Sequence, residues 1–168
     1  MNKIITILVF AASFMCMQAQ TVSDRDRKFA EKAAMANLME IKLGELAQTN
    51  GQSAEVKMHG SHMVRDHSKA NENLSDLAKR KNVSVPTSLD EKHMKAYNKL
   101  AKKTGKEFDK AYIKCMVKKH KKAVCLFEKE EKKGGDSEFR SFASSTLPTL
   151  KDHKQMSKEI CKTVKRNS

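Results

Sequence analysis

Apolar residues recur at helical spacing along most of the chain after residue 23, and few signals interrupt them. Residues i, i+3, i+4 and i+7 share one face of an α-helix. The clearest interruptions are Gly51, Pro86 and the pair Gly134-Gly135. Alternating runs of valine, isoleucine and threonine, which are typical of strands, are absent from the sequence. The pattern therefore predicts an all-α protein.

We predict four long helices and one short one, at residues 24–50, 53–82, 88–103, 106–133 and 136–165. Pro86 forbids continuation of the second helix, and Ser88 with Glu91 predicts a capping box ahead of the short helix. Pro148 falls inside the last helix and predicts a kink there.

The connection between the second and third long helices sets the topology. It spans roughly 23 residues, whereas antiparallel neighbours in a bundle need only short loops. A link of this length can cross the bundle and allow the second and third long helices to run parallel. We therefore predict a ferritin-like four-helix bundle with a short crossover helix.

The first 19 residues predict a secretory signal peptide, with a positive start and an apolar run at residues 4–15. Met15 precedes Cys16 where a lipid-attachment signal needs a small residue. Later segments fall short of the roughly 20 apolar residues that span a membrane. We predict one helical-bundle domain at residues 20–168, exported to the periplasm or associated with the outer membrane of a Gram-negative bacterium.

The net charge of +14 comes almost wholly from lysine. Nucleic-acid binders depend on arginine and on aromatic side chains, and both are scarce here, so we expect no nucleic-acid partner. Lysines at positions 118, 119, 121 and 122 form either a solvated helix face or a surface for anionic envelope polymers or the membrane.

Three cysteines follow the predicted signal peptide, namely Cys115, Cys125 and Cys161. The first two are separated by roughly 15 Å along one helix and cannot bridge each other. If a disulfide forms, Cys115 and Cys161 are the better pair.

His67, His120 and His153 each lie on the apolar stripe of a different predicted helix, and Glu40 lies on that of the first. In the crossover topology, their levels along the bundle agree to within roughly 6 Å. We predict that these four side chains converge.

Three imidazoles and one carboxylate suit a zinc or copper ion. Carboxylates that could orient the imidazoles are Asp66 and Asp109, although Asp109 lies three turns from His120. Methionines within one turn of the histidines are either core fillers or thioether ligands, and they are Met63, Met116 and Met156. His59 and His62, next to Met63, have a His/Met spacing that favours copper binding; the alternative is that both histidines are simply exposed.

Several strings together resemble an exported bacterial family of unknown function whose members are labelled "predicted outer membrane protein". They are MVRDHSKANENLSDLA, VSVP, GKEFDKAY, MVKKHKKAVCLFE and FRSFASSTLPTLKDHKQM. The resemblance covers roughly residues 26–160 and implies a ferritin-like helical bundle in the cell envelope, without implying an activity. It carries Glu40, Asp66, His67, Asp109, His120, Leu147, Pro148 and His153.

Ferritin-like diiron enzymes use glutamates three residues before their histidines. Here those positions hold Val64, Val117 and Leu150, and phosphate loops, HExxH motifs and nucleophile elbows are also missing from the sequence. We predict a non-catalytic binding or structural module, in which the histidines form a buried network with Asp66, Glu40 and Tyr112. The alternative is a zinc- or copper-binding protein that uses the same cluster.

Overall fold

The computed structural model describes residues 22–166, and this part of the chain is all-helical. Within it lie five helices and no strands: α1 (Asp24–Asn50), α2 (Ala54–Arg80), α3 (Glu91–Ala101), α4 (Gly105–Lys133) and α5 (Ser137–Arg166). The all-α prediction is confirmed. The predicted signal peptide lies outside the described residues.

Local signals in the sequence set the helix ends. Ser23 and Asp26 form a capping box at the start of α1, and Gly51 caps its end. At α3 the cap is Asp90, whose side chain accepts a hydrogen bond from the His93 amide. The prediction that Ser88 starts this helix is therefore wrong, since Asp90 offers the same three-residue spacing closer to the helix.

The helices pack as a bundle, and Pro148 lies inside α5. α1 packs against α2 and α4, while α5 packs against α4 and α2. The short α3 lies against α1 and α4. Each long helix therefore presents a face to two other long helices, as its apolar stripe requires.

The core has two apolar clusters with polar side chains between them. The aromatic cluster contains Phe29, Phe127 and Phe139, with Phe142 packed against it. The second cluster, which we call the tyrosine cluster, is built around Tyr112 and includes Phe108, Leu43 and Met116. Along α2, α4 and α5, the buried histidines at positions 67, 120 and 153 fall between the residues of the two clusters.

α1 and α2 approach each other closely at two glycines. A Cβ atom at Gly44 would lie 2.7 Å from the carbonyl oxygen of Gly60, and a Cβ at Gly60 would lie 2.7 Å from that of Gly44. Real Cβ atoms do not come that near to backbone atoms. The absence of side chains at these positions therefore sets the spacing of the two helices one turn from Glu40.

The three cysteines in the described region are free thiols, so the structure contains no disulfide between Cys115 and Cys161. Both of these side chains are half-buried and pack on the tyrosine cluster. Among the described helices, none has a stretch long and apolar enough to cross a bilayer.

Candidate metal centre

Four buried side chains meet between the two apolar clusters, one from each long helix. They are Glu40, His67, His120 and His153, each no more than 3% exposed. One ring nitrogen from each histidine lies within 4.8 Å of the other two. The Glu40 Oε2 atom lies 3.4 Å from His67 Nε2 and 3.2 Å from His120 Nε2.

The other ring nitrogens bind acceptors outside this group. His120 Nδ1 lies 3.1 Å from the Met116 carbonyl oxygen, which can only accept, so the proton is on Nδ1. His67 Nδ1 likewise donates to Asn37 Oδ1 at 2.9 Å. His153 is held from its opposite nitrogen, with Nε2 donating to Asp66 Oδ2 at 2.9 Å.

These outer hydrogen bonds leave a lone pair on each inner nitrogen of a neutral imidazole. Among the buried atoms without a hydrogen-bond partner in the described region are His67 Nε2, His120 Nε2, His153 Nδ1 and Glu40 Oε2. Electron pairs facing one another in a buried site repel, and an unpaired buried polar atom costs about 1–3 kcal/mol. The group is therefore completed by protons, by a cation, or by a buried water that donates to these lone pairs.

Burial acts against the protons. It lowers the pKa of His67 to about 4, with the Glu40 charge only partly opposing this shift. Burial also lowers the pKa of His153, against the hydrogen bond to Asp66. For Glu40 itself, burial alone would raise the pKa, but the fields of His120 and His67 in their charged forms outweigh it and lower the pKa.

Two of the distances from Glu40 match those of a tetrahedral ion, whereas the three histidine nitrogens lie within 4.8 Å of one another and would have to draw closer to bind one. Ligand atoms about 2.0–2.1 Å from a tetrahedral zinc ion lie about 3.3 Å from one another. The two separations from Glu40 Oε2 to His67 and His120, 3.4 and 3.2 Å, have this length. Three nitrogens and one oxygen are also a donor set that zinc and copper accept.

The predicted orienting carboxylates have different positions. Asp66 binds His153 and is itself held by Arg65, whose Nε lies 2.7 Å from Asp66 Oδ1. Asp109 does not orient a histidine, because its two oxygens accept hydrogen bonds from the Gln52 and Ser53 amides at the start of α2. That placement agrees with the three-turn separation in the sequence.

The methionines contribute to packing. Met63 and Met116 are fully buried in the core, and Met156 is partly buried. The contact that Met116 makes with His120 comes from its backbone carbonyl.

His59 is a buried histidine whose role the sequence left undecided. Its Nδ1 lies 2.8 Å from Tyr112 Oη and its Nε2 lies 2.9 Å from Ser157 Oγ, so both nitrogens are satisfied. Its ring is 6.4 Å from that of His120, centroid to centroid. The signal was present in the sequence, since positions 59, 63 and 67 are spaced four apart on one stripe.

The family model for a domain of unknown function, DUF4142, matches residues 12–160 of the chain. The chain therefore belongs to the DUF4142 family, which agrees with the predicted membership of a family of unknown function. No curated protein and no solved structure gives a significant match.

Proposed function

We propose that this protein binds one zinc or copper ion between its four long helices. The ligands are Glu40 Oε2, His67 Nε2, His120 Nε2 and His153 Nδ1. The observation that carries the proposal is that these four atoms are buried without hydrogen-bond partners in the described region, with Glu40 Oε2 only 3.4 Å from His67 Nε2 and 3.2 Å from His120 Nε2. A purely structural network would be expected to satisfy its own polar atoms, as His59 does with Tyr112 and Ser157.

The ligand set supports a binding role in preference to catalysis. Catalytic zinc sites use three protein ligands and keep a fourth position for water or substrate. Here four protein atoms are available and all are buried. We therefore propose a non-enzymatic protein that stores, buffers or senses the ion.

We further propose the ferritin-like topology, with α3 in the crossover between α2 and α4. The register of contacts supports parallel α2 and α4. His59 meets Tyr112, and His67, eight residues later, meets His120, eight residues after Tyr112. Export to the periplasm or outer membrane is a proposal that rests on the predicted signal peptide.

Elemental mass spectrometry on the mature protein, purified without a histidine tag, tests the metal proposal. We expect about one zinc or copper ion per chain after loading and dialysis. Glu40→Gln and His120→Ala should each lose most of this metal, because three ligands hold the ion less tightly and leave a buried partner unpaired. His62→Ala is the matched control, since His62 is half-buried on α2 and lies outside the ligand set.

The absence of metal after incubation with both ions would overturn the proposal. In that case the four side chains would act as a structural network, and circular dichroism of His120→Ala would show a loss of stability with no link to metal. Equal metal in His120→Ala and His62→Ala would place the ion elsewhere.

A further inference from the structure

A groove of about 540 Å³ opens between α1 and α4 beside α3 and reaches the ligand cluster. The buried Glu40 lines it, together with Cys115 and Met35. This volume falls within the roughly 300–1,000 Å³ of small-molecule sites. Glu40, one ligand of the proposed metal centre, therefore forms part of the floor of the groove, although it is only 1% exposed.

The rim of the groove is strongly basic. Five lysines line it, with His93 beside them: Lys32, Lys92, Lys118, Lys119 and Lys122. Among the described residues, none of these ammonium groups has a carboxylate within ion-pair distance. Glu40 is the acidic side chain in the lining, and the field of Lys119 helps to lower its pKa.

Such a rim selects what can enter. Clefts lined by charge of one sign concentrate ions of the opposite sign and change association rates by about 10- to 1,000-fold. A hydrated divalent cation meets five positive charges before it reaches Glu40. The same five charges attract an anion. Multidentate oxyanions are common carriers of divalent metals.

We propose that the groove between α1 and α4 loads the metal centre, and that it takes the ion as an anionic chelate, held by a polycarboxylate or a polyphosphate. This inference rests on the proposed metal-binding function. The step is a ligand exchange without electron transfer. Three neutral imidazole nitrogens and the Glu40 carboxylate replace the oxygens of the chelator, which leaves as a free anion through the groove.

Copper(II) loading followed by tyrosine fluorescence provides the test. The chain has two tyrosines and no tryptophan, and Tyr112 binds His59, whose ring is adjacent to that of His120. Stopped-flow mixing compares hydrated copper(II), its citrate complex and its pyrophosphate complex, each at low and high salt. The two complexes separate carboxylate from phosphate carriers.

Lys118→Glu/Lys119→Glu/Lys122→Glu reverses the charge of the α4 side of the groove. Lys158→Glu/Lys162→Glu/Lys165→Glu makes the same change in net charge on exposed positions of α5 that do not line the groove. We expect the α4 variant to load from an anionic complex at least about tenfold more slowly than the wild type. It should load hydrated copper(II) faster, and high salt should reduce both differences.

The possible outcomes separate the two proposals. Stoichiometric copper taken up at equal rates by the wild type and both variants would overturn the loading inference and leave the metal centre intact. Equal slowing in both variants would also overturn it, because net charge and not the groove would then control the rate. No uptake of either copper or zinc in any form would overturn both. Lys32→Glu/Lys92→Glu, on α1 and α3, repeats the test should the α4 variant fold poorly.

Discussion

Glu40 and Glu130 are both almost wholly buried in the same bundle, yet their surroundings shift their pKa values in opposite directions. Glu130 is 2% exposed, and burial together with a hydrogen bond to Asp26 raises its pKa to about 8. Glu40 is 1% exposed, and the neighbouring histidines lower its pKa despite burial. The Glu130 site favours a proton, and the Glu40 site favours a carboxylate when a positive charge, on an imidazole or on a cation, lies beside it.

The partners of the two carboxyl groups explain this difference. Asp26 accepts hydrogen bonds from the amides of Ser23, Gly135 and Asp136, which keep it ionised, so a protonated Glu130 completes that group. Glu40 instead faces imidazole nitrogens that carry lone pairs. A buried carboxyl group that is surrounded by hydrogen-bond donors can therefore link two chain segments. One that is surrounded by acceptors can instead bind a cation.

The largest expected effect is at Asp26, where Asp26→Ala removes the acceptor of three backbone amides, the buried one of Asp136 and the part-buried ones of Gly135 and Ser23. Counting the two amides of the turn between α4 and α5, at about 1–3 kcal/mol per unsatisfied group, we expect a loss of about 2–6 kcal/mol in the free energy of unfolding. Urea denaturation measures it. Metal content per folded chain should stay at the wild-type value, and a loss of metal would show that the two carboxyl sites are coupled.

Zinc should stabilise the wild type through Glu40 and not through Glu130. At free zinc about 100–1,000 times the dissociation constant, we expect about 3–4 kcal/mol of added stability. Glu130→Gln should keep this increment, whereas Glu40→Gln should lose most of it. Thermal unfolding with and without zinc checks both variants, and equal increments in the two would remove the proposed distinction.

Asp66 should support the metal centre indirectly, because it fixes which nitrogen of His153 faces inward. We expect Asp66→Asn to weaken metal affinity by about 10- to 100-fold, as for other carboxylates behind ligating histidines. Competition with a chelator of known affinity measures this change. Asp109→Asn is the contrasting variant: it should lower stability through the start of α2 and leave metal affinity unchanged.

Glu130 should also give the metal-free protein a pH dependence. Its pKa rises from an ordinary 4.5 to about 8 on folding. Its contribution to the free energy of unfolding is therefore complete below the pKa of the unfolded chain, about 4.5, and is lost as the pH rises to about 8. One proton sets a slope of at most about 1.4 kcal/mol per pH unit. Urea denaturation across this range should show the fall in the wild type and a flatter profile in Glu130→Gln.

The sequence was sufficient for the parts of the site that follow from helical periodicity. Glu40, His67, His120 and His153 lie on apolar stripes, and such stripes must face the interior of a bundle. The all-α class follows from the same pattern. Periodicity does not decide whether these residues bind a metal, because an apolar stripe shows where a side chain lies but not whether it is protonated.

The remaining features depend on contacts between distant segments. Asp26 and Glu130 meet because the start of α1 packs beside the turn between α4 and α5, more than 100 residues away, where Asp26 accepts from the Gly135 amide. Asp109 shares a stripe with His120 but is used by the amides that begin α2. No local spacing encodes either partnership.

The contact between Gly44 and Gly60 has a consequence for the ion selectivity of the proposed metal centre. Glu40 lies one turn before Gly44 on α1, and His67 follows Gly60 on α2, so the distance between these helices limits how closely the two ligands can approach. A methyl group at either glycine would force the backbones apart. In the proposed metal centre, the ionic radius that the cluster could enclose would therefore be governed in part by two residues that do not contact the ion.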